Sequence, residues 1–370
     1  MKTISITQGT HTYPVQIGQN LLCVSHLQPL ISEKKCAILC DSNTSSLFGK
    51  RLWKQLQMQN IPSKLVTIPE GESSKTRQTK ETIENHLLEA GFGRDSCLIA
   101  IGGGVISDLG GFTAATFCRG IPLIIIPTTL LSMVDACIGG KNGVNTPHGK
   151  NLIGTFYPPK LVLIDTELLN PLPEQQLRNG MSELIKHALI ADKELFETIE
   201  NHLERWIHHP NTLENGIHRS CEIKKQIVEQ DPEEKNLRKI LNFGHTIGHA
   251  LEKVSFYTLS HGEAVAIGMI LESKLSNLYG ILPDSQFQRI TSLLKKTHPN
   301  LSIPSFSEPD FLNALKADKK NHSAIPHFVF LDEIGKPASC NGTFCTPLLD
   351  WETKLVSLHA SLKFNAKTQS

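Results

Sequence analysis

Two histidines four residues apart, in Asn242-Phe243-Gly244-His245-Thr246-Ile247-Gly248-His249, are the side chains in this sequence best suited to chemistry. On a helix that spacing puts both imidazoles on one face. A third histidine follows in Ser260-His261-Gly262-Glu263, and a carboxylate stands upstream in Met181-Ser182-Glu183-Leu184-Ile185-Lys186-His187. Two imidazoles and a carboxylate, with coordination positions left open, suit a catalytic divalent cation, and zinc is the simplest choice. Any one of these histidines alone reads as an ordinary surface or core residue. The pair, the glycines around it and the further His-Gly together point to metal. Spacing by itself makes His245 and His249 the natural ligand pair.

A second constellation is a glycine turn. Leu98-Ile99-Ala100-Ile101 runs into Gly102-Gly103-Gly104 and then Val105 to Phe117, a strand–turn–helix pattern. Glycines let backbone approach a phosphate, and the helix N-terminus beyond them favours an anion. The spacing is not G-x-G-x-x-G, so an ordinary βα turn competes with a dinucleotide site. Asp108 in the first helical turn and Pro127-Thr128-Thr129 after the next apolar run favour the ligand, because open α/β sheets bind at strand C-termini. A third constellation is basic. Lys141 and Lys150 sit among glycines and asparagines in Gly139 to Asn145 and His148 to Asn151, both read as loops. Lys186, Lys224, Arg238 and Asp318-Lys319-Lys320 add charge. Any single lysine reads as solvated surface; the glycine context of Lys141 and Lys150 suggests a small multiply charged anion, such as a phosphate plus a carboxylate.

These residues need elements to hold them. Thr3 to Ile17 alternates around Gly9-Thr10 and predicts a β-hairpin. Short apolar runs at Cys36–Cys40, Lys64–Ile68, Leu98–Ile101, Leu123–Ile126 and Leu161–Ile164 alternate with helical spacing at Thr44–Gln59 and from Ser73/Ser74 to Leu88. That pattern predicts βαβ units and a mostly parallel sheet. From Pro173 to about Tyr279 the spacing is helical: one long stretch at Leu184–Ile207, then Ile217–Gln230, Lys239–Lys253 and Gly262–Tyr279. Pro326–Leu331 predicts a small strand or hairpin. Prolines in Asn170-Pro171-Leu172-Pro173 place the boundary between residues 1–171 and 172–370.

Composition sets outer bounds. The chain has 370 residues, 37 Lys+Arg against 36 Asp+Glu, and 39% hydrophobic residues. That length suggests two domains with sizeable cores. A formal net charge of +1 argues against a nucleic-acid binder that relies on bulk charge. The longest apolar run, Ile121–Ile126, is too short to cross a bilayer, and the N-terminus lacks a signal-peptide core, so a cytoplasmic location is expected. Nine cysteines, none in C-x-x-C, read as reduced, mostly buried small hydrophobes.

The longer motifs carry a family likeness. GGGVISDLGGFTAATFCRGIP, PTTLLSMVDACIGGKNGVN and GKNLIGTFYPP between Gly102 and Asp165 closely resemble 3-dehydroquinate synthase. So do SELIKHALI at 182–190, LRKILNFGHTIGHALE at 237–252 and SHGEAVAIGM at 260–269. The resemblance implies an α/β Rossmann-like NAD-binding N-terminal domain and a mainly helical C-terminal domain for metal and substrate. It implies conversion of 3-deoxy-D-arabino-heptulosonate 7-phosphate to 3-dehydroquinate and phosphate, through transient oxidation by NAD, phosphate elimination, re-reduction, ring opening and aldol closure. The neighbours to distinguish are other sugar-phosphate cyclases and NAD- and metal-dependent polyol dehydrogenases.

By motif position, the resemblance makes Glu183, His245 and His261 the ligands of Zn2+, with Co2+ as the alternative, and turns His249 to the substrate. That departs from the spacing argument. Asp41, Asn43, Glu72 and Lys75 match adenosine-side contacts. Gly103, Gly104, Val105 and Asp108 match pyrophosphate and ribose contacts, and Thr128, Thr129, Asp135, Lys141 and Lys150 match the rest of the NAD site. Lys141, Asn151, Asn242, His249 and Lys320 (or Lys319 beside it) resemble phosphate-side groups, while Lys224 and Arg238 resemble a carboxylate-binding pair. Lys186 and Glu234 match positions near the reacting hydroxyls. Arg119 matches an arginine that reaches a neighbouring subunit, which implies a homodimer. Ser107 and Pro171 stand where the family more often has Gly and Thr, and Pro171 would alter a nicotinamide-side contact.

Overall fold

A computed structural model describes residues 1–256, 258–303, 305–316, 326–339 and 342–347. The chain forms two compact units, one of Met1–Gly180 with Glu204–Pro232, the other of Met181–Leu203 with the described residues from Glu233 to Pro347.

The first unit is built on a seven-stranded sheet. It opens with the expected hairpin, β1 (Lys2–Gln8) and β2 (His11–Gly18), whose alternating burial shows one face covered and one wet. Then follow α1 (Val24–Ile31), β3 (Lys35–Asp41), α2 (Ser42–Thr44), which runs through a π-turn into α3 (Lys50–Met58), and β4 (Ser63–Ile68). After them come α4 (Arg77–Glu89), β5 (Ser96–Gly102), α5 (Gly104–Thr116), β6 (Leu123–Pro127), the hairpin β7 (Lys141–Thr146) with β8 (Gly149–Phe156), and β9 (Leu161–Asp165). The order across the sheet is β1-β2-β9-β6-β5-β3-β4, parallel except between β1 and β2. β5, β6 and β9 are buried along their whole length, as strands covered on both faces must be, which explains runs such as Leu123-Ile124-Ile125-Ile126. Cys36, Cys40 and Cys97 are buried in this layer as expected, while Cys118 is half-buried.

The β7–β8 hairpin corrects the reading of this stretch as loops. Lys, Asn, Gly and Pro are poor strand formers, so the sequence carries no strand signal. Pairing from Lys141↔Phe156 to Thr146↔Gly149 and packing of β7 on α5 override it. Asn142 Nδ2 donates to the carbonyls of Gly140 (2.9 Å) and Tyr157 (3.1 Å).

The prolines at 171 and 173 mark the end of the sheet, yet this unit continues into α6 (Glu174–Ala191). A Cβ on Gly180 would lie 2.5 Å from both Leu130 Cβ and Leu131 N, so the first turns of α6 press against that segment. The predicted single stretch at Leu184–Ile207 is two helices, because α6 ends before Asp192 and α7 (Lys193–His208) begins after it. Asp192 Oδ1 accepts from Leu195 N at 3.0 Å, which caps the new helix. The first unit recovers the chain for α8 (Glu214–Gln230), which packs on β1, with Glu229 accepting from Thr7 N at 2.7 Å.

The second unit is helical. A 3₁₀ turn (Leu237–Asn242) leads to α9 (His245–Val254), α10 (His261–Leu278), α11 (Asp284–Thr297) and α12 (Glu308–Lys316). Short strands β10 (His327–Phe328) and β13 (Thr346–Pro347) pair, as do β11 (Leu331–Glu333) and β12 (Lys336–Pro337). The apolar face of α9 and α10 meets Phe311, Leu315, Phe328 and Phe330 in one core. Among the described residues no helix is long and apolar enough to cross a membrane.

Candidate functional site

The histidine cluster is made by two helices that touch backbone to backbone. Gly244, just past the 3₁₀ turn, is left-handed (φ 78°) and caps α9, which starts at His245. A Cβ on Gly268 of α10 would stand 1.9 Å from the Gly244 carbonyl oxygen, and one on Gly248 would stand 3.1 Å from that of Ala264. Glycine at both crossings brings α9 against α10 and sets His245, His249 and His261 in one cluster, with ring centroids 5.3 to 6.3 Å apart. His261 is the first residue of α10, whose N-terminus is held by a reciprocal cap between Ser260 and Glu263. Glu183 rises from α6 and is fully buried.

Glu183 Oε1 lies 3.3 Å from His245 Nε2 and 3.4 Å from His261 Nε2. His245 Nδ1 lies 3.2 Å from the Phe243 carbonyl, which can only accept. The proton therefore sits on Nδ1, and Nε2 turns a lone pair toward the carboxylate. Burial, and after it the Lys186 cation, pushes His245 down against the pull of Glu183. Burial alone would push the Glu183 carboxyl up, but the Lys186 ammonium foremost, with His261, holds it well below the usual carboxylate range. Neither oxygen of Glu183 has a hydrogen bond of sound geometry, although Lys186 forms an ion pair with Oε2. Lone pairs from a buried carboxylate and an imidazole facing each other are the donor set of a dication, and these three residues fit one.

Of the two ligand sets under consideration, Glu183, His245 and His261 present one ligand atom each, all within 4.8 Å of one another. His249 falls into a different group, with Glu252 and His261, and not with His245. The i,i+4 reasoning could not see this, because the third donor comes from another helix. It also missed Glu252, a buried carboxylate whose Oε1 is 3.4 Å from His261 Nδ1. Burial opposes charge on His261, but Glu183 and Glu252 together raise it to about 10. The spacing 245, 249, 252 was a legible signal, since i, i+4 and i+7 share one helical face.

The expected nucleotide residues collect along the C-terminal ends of β3, β4, β5 and β6. Asp41 closes β3 and accepts from Thr44 N at 2.8 Å, so its carboxylate also caps α2. Asn43, exposed, bonds Glu70 beyond β4. Gly103 caps α5, Gly104 and Val105 form its first turn, and Thr128 N donates to the Gly102 carbonyl at 3.0 Å. A Cβ on Gly103 would come within 3.2 Å of Thr129, so the turn packs tightly on the segment after β6. Lys75 is buried and ion-paired with Asp108, which sits on α5. Burial still dominates Asp108 and pushes its carboxyl up. Glu72 accepts from Asn145 Nδ2 at 2.7 Å, which ties the turn after β4 to the β7–β8 hairpin.

The expected anion-binding groups divide between the two units. Lys224 on α8 is buried, and its Nζ lies 2.5 Å from Asp135 Oδ1, so two residues assigned to different ligands form one ion pair. Lys141 and Asn151 are exposed on the hairpin, and Lys150 is half-buried there. In the helical unit, Arg238 and Lys186 are buried, and Asn242 Nδ2 donates to Glu234 at 2.8 Å. Arg119 is exposed after α5, at φ 69° between Cys118 and Gly120, which also have positive φ. Lys319 and Lys320 lie outside the described residues.

Known proteins with this organisation are numerous. Residues 65–179 match the family described as 3-dehydroquinate synthase N-terminal, and residues 180–321 match 3-dehydroquinate synthase C-terminal. A 3-dehydroquinate synthase of Acidithiobacillus ferrooxidans is 40% identical over 338 residues, covering 90% of this chain and 93% of that one. A solved 2-deoxy-scyllo-inosose synthase, complexed with carbaglucose-6-phosphate, NAD+ and Co2+, superposes with TM-score 0.87 at 28% identity, covering 96% of this chain and 99% of that one. A 2-epi-5-epi-valiolone synthase from Streptomyces hygroscopicus, with NAD+ and Zn2+ bound, gives TM-score 0.85 at 28% identity, with 97% and 99% covered. By these matches along almost its whole length, the chain belongs to the 3-dehydroquinate synthase family.

Proposed function

We propose that this protein converts 3-deoxy-D-arabino-heptulosonate 7-phosphate to 3-dehydroquinate and inorganic phosphate, as a phosphate-eliminating lyase using NAD and a divalent cation, zinc or cobalt. The observation that carries the reading is the convergence of Glu183, His245 and His261 in a chain of this family. When bound, the dinucleotide supplies a hydride acceptor and donor, and the dication supplies Lewis acidity.

The chain's own residues bind, orient and move protons. Glu183, His245 and His261 hold the cation, and Glu252 orients His261 through Nδ1. Gly103, Gly104 and Val105 offer amides to the pyrophosphate. Asp41, Asn43, Glu72, Lys75, Asp108, Thr128, Thr129, Asp135 and Lys150 complete the nucleotide side. Lys224 and Arg238 bind the substrate carboxylate, and Lys141, Asn151, Asn242, His249 and Lys320 bind its phosphate. Two anchored anions keep the substrate oriented while successive steps proceed at different carbons. Lys186 and Glu234 orient the reacting hydroxyls, and fixed positive charge stabilises oxyanions as they develop. His249 holds or moves a proton at the departing phosphate. The 40% identity to a 3-dehydroquinate synthase, against 28% to the two solved cyclases, supports this substrate over theirs. The same reading includes a cytoplasmic homodimer in which Arg119 reaches the neighbouring subunit.

The test is phosphate release from 3-deoxy-D-arabino-heptulosonate 7-phosphate, with absorbance at the NADH band followed in parallel. Phosphate should appear without bulk NADH and should stop after chelation, returning when Zn2+ or Co2+ is restored. Accumulating NADH would identify a polyol dehydrogenase, and phosphate release only from sugar phosphates lacking a carboxylate would identify a different cyclase.

A further inference from the structure

A buried serine–histidine contact joins the backbone positions beside two of the proposed metal ligands. Ser182 precedes Glu183 on α6 and is fully buried. Its Oγ lies 2.8 Å from the carbonyl oxygen of Gly262, the residue after His261. It also lies 2.7 Å from Nε2 of His298, a buried residue at the C-terminal end of α11.

The hydrogen-bond inventory orders this contact. A hydroxyl has one proton, and the Gly262 carbonyl can only accept, so Ser182 donates there. His298 Nε2–H must then donate to Ser182 Oγ. With both sides engaged, the serine rotor has one orientation, and the turn of α6 that carries Glu183 is tied directly to the turn of α10 that begins with His261. These turns are 80 residues apart in sequence, and metal coordination tolerates only about 0.2 Å of misplacement.

We propose that Ser182 and His298 are a positioning pair that holds Glu183 and His261 at the separation a divalent cation requires, and so set metal affinity. The inference rests on the metal reading above. Neither residue touches the cation or the substrate; Ser182 acts through the backbone at Gly262, and His298 acts through Ser182.

The experiment measures Zn2+ and Co2+ affinity of the full chain by competition with a chromophoric chelator, with the visible absorption of the Co2+ form and urea unfolding of metal-stripped protein recorded for each variant. Ser182→Ala and His298→Ala should each weaken binding about 10- to 100-fold, the range seen when outer hydrogen-bond partners of metal ligands are removed. The two together should weaken it no further than the worse single change, because they break one unit. His298→Gln, whose side-chain amide can donate to Ser182, should recover most of the affinity and the wild-type Co2+ spectrum. Affinities within about twofold of wild type in both alanine variants would overturn the proposal. So would weaker binding that only follows loss of stability in metal-stripped protein, with no rescue by His298→Gln. Glu183→Gln separates the two readings: if it binds metal like wild type, the ligand assignment itself is wrong, whereas loss of binding there with unchanged binding in Ser182→Ala removes only the positioning role.

Discussion

Single side chains in this protein owe their properties to partners far away in sequence. Lys75 and Asp108 illustrate the point: a buried ammonium and a largely buried carboxylate form a pair that neither local pattern announces. Removing one partner strands the other charge. Lys75→Met should therefore destabilise the chain by about 3 kcal/mol, and Asp108→Asn in that background should restore much of it, as denaturant titration of both variants will show. The pH dependence has a definite sign. Burial already raises Asp108, so in Lys75→Met the folded state holds the proton above the pH at which the unfolded chain releases it. Stability of that variant should fall as pH rises through the carboxylate range, and a flat profile would show that Asp108 is solvated after all. Lys141 belongs to a different class, exposed and poised on the hairpin. Lys141→Ala should raise the substrate KM and lower turnover while NAD affinity measured by calorimetry stays within about twofold of wild type, since one phosphate-side charge-assisted contact is worth roughly 1.5–3 kcal/mol. Equal loss of both affinities would place Lys141 on the nucleotide.

Between elements, the decisive feature is the glycine seam between α9 and α10. Gly268 permits an approach to the Gly244 carbonyl that no side chain tolerates. Gly268→Ala should push the helices apart at a cost of about 1–3 kcal/mol and weaken metal binding by spreading His245 from His261, measured by unfolding and by chelator competition. Unchanged metal affinity in a destabilised variant would mean that the cluster does not depend on this crossing. The hairpin β7–β8 makes the opposite point. Its residues look like loop, and only cross-strand pairing and the surface of α5 make them strands. The π-turn after α2, the break at Asp192 and the return of α8 to β1 were likewise invisible to periodicity, because each depends on what a helix packs against.

For the protein as a ligand-binding body, metal and stability are linked. A cation that binds only the folded chain adds about 2.7 kcal/mol at 100 times its dissociation constant. Saturating Zn2+ or Co2+ should raise the unfolding temperature of wild type and leave Glu183→Gln unmoved; a shift of equal size in that variant would place the cation elsewhere.

Periodicity and composition were sufficient for the strands at Cys36–Cys40, Leu98–Ile101, Leu123–Ile126 and Leu161–Ile164, because a strand buried on both faces has to be apolar throughout. They were sufficient for the glycine turn before Val105 and for a metal-suited cluster around His245, and the longer motifs named the family. They could not choose the third donor. Helical spacing describes one helix at a time, while Glu183, His245 and His261 come from three, brought within reach by glycines that let two backbones touch and by a buried hydroxyl that ties the third.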